Sequence, residues 1–318
     1  MIGTLQDIND AGILGMNRRN AAYILPSNQR KFYPLVDSKL LTKQLLEKYE
    51  IPTPTLYFEV TSGFDMMRLH QLTHTSQFVI KPSRGAEGRG ITVIVDRREN
   101  QWKTAGGKWL SMEDIRYHVT NILAGLYSLG GTDDHAFVEY CVISHPVFKK
   151  IAFQGVPDIR VILYRGTPVM AMLRLPTKQS SGKANLHQGA VGAGVNMLEG
   201  ITLGGVHKNR LIDIHPDTQV PIAGFKIPFW QDILHISART YDIFKLGYMG
   251  VDFVIDALLG PLILELNARP GLSIQLANRE GLIPRLRALD AVGPGLEKKS
   301  PEERLKISNQ MLHHVTLL

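Results

Sequence analysis

Gly250-Val-Asp-Phe-Val-Ile-Asp256, followed after three residues by Gly260-Pro-Leu-Ile-Leu-Glu-Leu-Asn-Ala-Arg-Pro-Gly271, is the stretch on which the fold turns. Both pieces are apolar runs of strand length, and Leu258-Leu-Gly-Pro261 between them reads as the turn of a hairpin. Side chains alternate along a strand, so Glu265 and Asn267, two apart, share a face. The hairpin folds Asp252 back beside them. Three convergent oxygen ligands suit Mg²⁺, which takes few protein ligands and leaves the remainder to phosphate and water. A plainer account makes Asp252 and Glu265 solvated strand residues and Asn267 the start of a turn. Against it, Glu265 lies inside Leu262-Ile-Leu-Glu-Leu266, and a carboxylate in so apolar a run needs a partner or an ion.

Upstream, strands alternate with helices. Asp37 reads as an N-cap before a helix over 38–49, with Leu41, Leu45 and Leu46 on one face, stopped by Ile51-Pro-Thr-Pro54. Strands are expected over 56–60, 77–81, 91–96, 136–142, 158–164, 168–175, 248–256 and 262–267. Helices are expected over 63–75, 111–129 and 228–245, and through most of 272–318. Residues 176–228, polar and rich in glycine and proline, read as long functional loops. Hairpins as well as crossovers join the strands, which indicates an α+β fold with mixed sheets.

The chain has 318 residues and is 44% hydrophobic and 20% charged, the profile of a globular protein with real cores. No apolar run approaches the roughly 20 residues that cross a bilayer, and Met1–Gly12 lacks a basic-then-apolar leader. The one cysteine, Cys141, excludes an internal disulfide and a thiolate metal cluster, and suits a cytoplasmic location. A formal charge of +7 suits polyanionic ligands. Its basic residues are dispersed in short clusters such as Arg18-Arg19 and Arg97-Arg98, without zinc-finger or RNA-binding signatures, so nucleic acid is not the expected partner.

The 250–271 hairpin resembles the closing motif of the ATP-grasp ligases, and specifically their glutamate-ligase branch. The resemblance runs over roughly residues 37–290. It implies two α+β lobes, 37–138 and 139–290, clasping ATP, with a short segment 1–36 in place of the usual N-terminal lobe and a helical tail 291–318. It further implies that Asp252, Glu265 and Asn267 hold magnesium (or manganese) on the ATP phosphates. Lys39, in Asp37-Ser-Lys-Leu-Leu41, and Lys81, at the end of Phe78-Val-Ile-Lys81, become phosphate anchors. The loop containing Gly85, Gly88 and Gly90, by itself only a hairpin turn, becomes a flap over the triphosphate, with Arg84 and Arg89 adding charge. Glu139 is expected to accept from the adenine amino group, with backbone groups of Tyr140, Cys141 and Val142 reading the adenine edge. Asp158 falls near the ribose, while Cys141 is a packed small hydrophobe.

On the acceptor side, Lys183-Ala-Asn-Leu-His-Gln-Gly189 resembles a loop of the same branch, with Lys183 and Asn185 approaching phosphate and magnesium. His187 is either a proton carrier or a loop histidine. Arg160 and Arg174 are expected on the γ-phosphate or acyl-phosphate oxygens. Arg269 can clamp a substrate carboxylate through two parallel hydrogen bonds. These parts imply a ligase that joins a carboxylate to an amino acid or peptide through an acyl phosphate. The chain departs from the family pattern in having only 38 residues before Lys39. The segment Gly15–Tyr33, with Arg18, Arg19 and Arg30, or a second copy of the chain in a homodimer, then completes the substrate pocket. Competing readings are a nucleotide-binding regulator on a degenerate ligase fold, a nucleic-acid binder, and a small-molecule kinase on the same fold.

Overall fold

The structure, a computed structural model, describes residues 11–85, 88–128 and 130–316. Asp7 and Asp10, the loop residues Ala86 and Glu87, Leu129 and the last two residues lie outside the described residues. The chain divides into two compact units: residues 37–142, and residues 143–318 together with the N-terminal segment up to Val36. The division thus falls after Val142, and the C-terminal helices belong to the same unit as the hairpin of residues 248–267.

The first unit holds helix α1 (Lys39–Lys48), strands β1 (Leu56–Val60), β2 (Phe78–Pro82), β3 (Thr92–Arg98), β4 (Gln101–Thr104) and β5 (Trp109–Leu110), helix α2 (Met112–Leu123) and β6 (Ala136–Glu139). Its sheet has the order β1-β6-β2-β3-β4-β5, with every pairing antiparallel. Phe78, Ile80, Val138 and Ile94 from the sheet pack with Ile115, Val119 and Ile122 of α2 and with Leu69 and Leu72. The last two lie on a 3-10 helix, Gly63–His74. Ser38, not Asp37, caps α1: its hydroxyl accepts from the Leu41 amide at 3.2 Å, while Asp37 ends the preceding short helix. Helix α2 stops at Leu123 rather than near 129, because Gly125 turns the chain at φ +75, where a Cβ would strike the Thr132 carbonyl.

The second unit is a sheet of β7 (Asp158–Tyr164), β8 (Thr167–Leu175), β9 (Val191–Asn196), β10 (Ile201–His207), β11 (Arg210–Ile212), β12 (Tyr248–Asp256) and β13 (Gly260–Asn267). Their order is β11-β10-β9-β8-β7-β12-β13, again with antiparallel pairings throughout. Three of its strands come from 176–228, expected as loop. Gly194 on β9 stands where a Cβ would strike the Ala277 carbonyl, and with so many glycines period-2 apolar patterning is too diluted there to signal strand. Helices α3 (Trp230–Phe244), α4 (Ile274–Asn278), α5 (Ile283–Ala291) and α6 (Pro301–Thr316) complete the unit. Helix α6 is a packed layer: Arg304, fully buried, pairs its guanidinium with Asp242 on α3, and the Ser308 hydroxyl donates to the Pro168 carbonyl at 2.6 Å. No helix among the described residues is long and apolar enough to cross a membrane.

Candidate active site

In the second unit, strand register gathers the predicted residues onto one face. Asp252 on β12 stands opposite Glu265 on β13 and opposite Arg160 on β7; Asp158 stands opposite Arg174 on β8. Directly paired residues share a face, as do residues two apart on one strand. Asp158, Arg160, Arg174, Asp252, Glu265 and Asn267 therefore form one patch across four strands.

The contacts are specific. Arg160 grips Asp252 through both carboxylate oxygens, Nε to Oδ1 at 2.7 Å and Nη2 to Oδ2 at 2.5 Å. Arg174 reaches the same Oδ2 at 2.7 Å and is bidentate to Asp158. The Asn267 amide donates to Asp252 at 3.2 Å and to Glu265 at 3.3 Å. Asp252 is the floor, its side chain 1% exposed, and Glu265 the mouth, at 34%. Two arginines thus face three carboxylates. Burial would raise the Asp252 carboxyl, but Arg160 and Arg174 together hold it well below the usual carboxylate range. Burial pushes Asp158 the other way, up to about 7, with the neighbouring Asp252 charge adding to the shift and Arg174 opposing it.

The Asp252 and Glu265 carboxylates, both within hydrogen-bond reach of the Asn267 side-chain amide, are with that amide a hard-oxygen donor set, the chemistry Mg²⁺ accepts. Asn267 here turns its NH₂ to the carboxylates, the orientation that two anions select. A half-turn of the amide presents Oδ1 instead. The chemistry of these donors fits the ion.

In the first unit, the Lys39 ammonium donates to the Gly85 carbonyl at 2.7 Å, and its amide to Ser83. Helix α1 is therefore stitched to the glycine loop. The buried Asp134 carboxylate accepts twice from the Arg84 amide, and His118 contacts the Gly90 carbonyl at 3.0 Å, so both ends of that loop are tied down. Gly88 and Gly90 hold φ of +73 and +74. Lys81 pairs with Glu139, and so does Lys43, at 2.7 Å. The Glu139 side chain is thus committed to two lysines rather than presented to a base, and the Tyr140 amide donates to the Thr55 carbonyl at 2.9 Å. Cys141 is a buried thiol. Lys43 escaped the sequence reading, which took α1 for a helix with one phosphate lysine. The only signal was its place one turn after Lys39. Lys43 also donates to Thr53 and Pro54, and burial lowers its pKa while Glu139 opposes the shift. Lys43→Met is expected to destabilise the unit, by less than the roughly 3–5 kcal/mol of a wholly orphaned buried charge, because Glu139 keeps Lys81. Urea unfolding measures this, and a loss near zero would show that the pair contributes nothing.

Three further expected residues lie on the loop after β8. Asn185 caps its own turn, accepting from the His187 amide at 2.9 Å, and Lys183 and His187 are exposed on the loop after β8. No hydrogen bond among the described residues links the three to the carboxylate–arginine patch. Asp158 is buried against Arg174 instead of being open to a ribose.

Two antiparallel α+β units, one with paired lysines beside a glycine loop and one with a carboxylate–amide–arginine patch, define an ATP-grasp protein. Residues 18–291 match the family described as sugar-transfer associated ATP-grasp, and the chain belongs to that family. Among solved structures, it is similar to the ATP-grasp ligase PsnB complexed with minimal precursor (14% identity, TM-score 0.44), covering 84% of this chain and 64% of that one. It is also similar to D-alanine–D-alanine ligase from Bacillus anthracis (15% identity, TM-score 0.42, 89% of this chain and 69% of that). D-cycloserine synthetase DcsG is a third (14% identity, TM-score 0.43, 78% and 68%). The chain thus spans less than two thirds of the PsnB chain. No curated protein matches the sequence.

Proposed function

We propose that the protein is an ATP- and Mg²⁺-dependent carboxylate–amine ligase, related in its closing motif to the glutamate ligases and acting in the cytoplasm. The observation that carries this reading is the patch itself: Asp252, Glu265 and Asn267 within hydrogen-bond reach on one sheet face, flanked by Arg160 and Arg174. A carboxylate oxygen of one substrate attacks the γ-phosphorus of ATP, and the bond to the ADP oxygen breaks, giving an acyl phosphate. An amine then attacks the acyl carbon, inorganic phosphate leaves, and the amine proton passes to solvent. Bound at Asp252, Glu265 and Asn267, Mg²⁺ would supply charge neutralisation on the phosphates. Arg160 and Arg174, freed from Asp252, turn to the transferring phosphoryl oxygens, where fixed cations act without reorganisation cost. Lys39 and Lys81 are read, from the resemblance, as further point charges for the phosphates.

The test is phosphate release from Mg²⁺-ATP against a panel of amino acids and short peptides. Amino sugars are included because the family description names sugar transfer. Release that depends on one acceptor, with an amide-linked product by mass spectrometry, supports the ligase; a stable phosphorylated product points to a kinase. One observation favours a nucleotide-binding regulator instead: both oxygens of Asp252 are already satisfied internally. ATP binding without turnover across the panel would support that reading.

A further inference from the structure

We propose that Lys43 is a positioning residue for the phosphate anchor: it keeps hold of Glu139 when Lys81 changes partner from that carboxylate to a nucleotide phosphate. This rests on the ligase reading, which gives Lys81 to phosphate, and adds a residue outside the motif. Val79 and Glu139 stand opposite each other on β2 and β6, and Lys81, two residues after Val79, shares their face. That face is turned away from the core under α2, to which Phe78, Ile80 and Val138 belong. Lys43 comes to it from α1. Its ammonium meets Oε2 of Glu139 at 2.7 Å, and the Lys81 ammonium meets Oε1. All three residues are buried. With both lysines charged, the trio carries one positive charge in excess.

The two lysines are held differently. Lys43 also donates to the Thr53 hydroxyl at 3.1 Å and to the Pro54 carbonyl, so its three N–H groups have three acceptors. Lys81 has Glu139 as its one partner among the described residues, which leaves two of its N–H groups uncommitted. Lys43 is therefore the fixed member of the trio and Lys81 the one able to turn elsewhere. Were Lys43 absent, the departure of Lys81 would leave a buried carboxylate without a cation, which a protein interior strongly resists. With Lys43 in place, Oε2 keeps its partner and only the contact at Oε1 is given up. An arriving phosphate replaces that contact with a charge-assisted one of the same kind. Each carboxylate oxygen thus has its own lysine, one structural and one exchangeable.

The experiment is calorimetric titration of the full chain with ADP and with adenosine, both with Mg²⁺. The ratio of the two affinities isolates what the phosphates contribute and cancels any general loosening of the fold. Lys81→Met is expected to lower the ratio by about tenfold or more, the worth of a charge-assisted hydrogen bond. Lys43→Met should lower it by a similar factor although Lys43 touches no phosphate, because Glu139 then keeps Lys81. Lys43→Met/Glu139→Gln should return the ratio to the wild-type value or above it, since no anion is left to hold Lys81. That variant also decides the matter should Lys43→Met fail to fold. A ratio unchanged by Lys43→Met, or one below wild type in Lys43→Met/Glu139→Gln, would overturn the exchange while leaving the ligase reading in place. A wild type that binds ADP no more tightly than adenosine, or a ratio that Lys81→Met leaves unchanged, would overturn the phosphate role of Lys81 in that reading and the exchange with it.

Discussion

Glu265→Gln is expected to lower phosphate release from Mg²⁺-ATP by roughly 10²–10³-fold, the loss typical of removing one element of transition-state charge stabilisation, while leaving the melting temperature within a degree or two. The two halves have separate causes. Glu265 sits at the mouth of the patch, 34% exposed, so its charge is already partly solvated and its removal leaves no buried cation alone. Glutamine keeps the shape and the Oε1 that accepts from Asn267. What disappears is one negative charge from a donor set of two carboxylates and an amide. On the proposed ligase reading, magnesium affinity is expected to fall with it, and with it the neutralisation of the transferring phosphoryl group. Phosphate release titrated against Mg²⁺, beside a thermal melt, reads both. Full turnover at millimolar Mg²⁺ would remove Glu265 from the metal set.

How much of this was legible beforehand depends on range. The spacing of Glu265 and Asn267, two apart in an apolar strand, is local, and so is the turn that folds Asp252 back. Both appear in the structure as read. The glycines at 88 and 90 are likewise visible as a loop that needs positive φ. Cross-strand register between segments far apart in sequence is not written in any local pattern. Nothing in Asp158-Ile-Arg160 says that Asp158 will face Arg174 and Arg160 will face Asp252. Nothing in α1 says that Lys43 will meet Glu139, nearly a hundred residues on. The strands of 191–212 were hidden for another reason: their glycines dilute the alternation that marks a strand. The functional reading came from the resemblance of a short motif, and the internal counter-charges came only with tertiary pairing.

Asp252→Ala separates the floor of the patch from its mouth. Unlike Glu265→Gln, it is expected to cost stability, roughly 3–5 kcal/mol, the cost of removing one partner from a buried ion pair. Asp252 is 1% exposed and satisfies Arg160 through two bonds and Arg174 through a third. Alanine leaves Arg160, whose side chain is only 12% exposed, facing only Glu265 at 4.0 Å, and leaves Arg174 to Asp158. Urea unfolding measures the loss. The double variant Asp252→Ala/Arg160→Met then tests the mechanism, because removing both charges leaves no orphan. It should recover much of the stability while phosphate release stays lost. Recovery of stability in the double variant means that Asp252 serves folding through its pairing with the arginine. A single variant as stable as wild type would show that solvent or Asp158 replaces Asp252 at no cost, and the patch would then be looser than its hydrogen bonds imply.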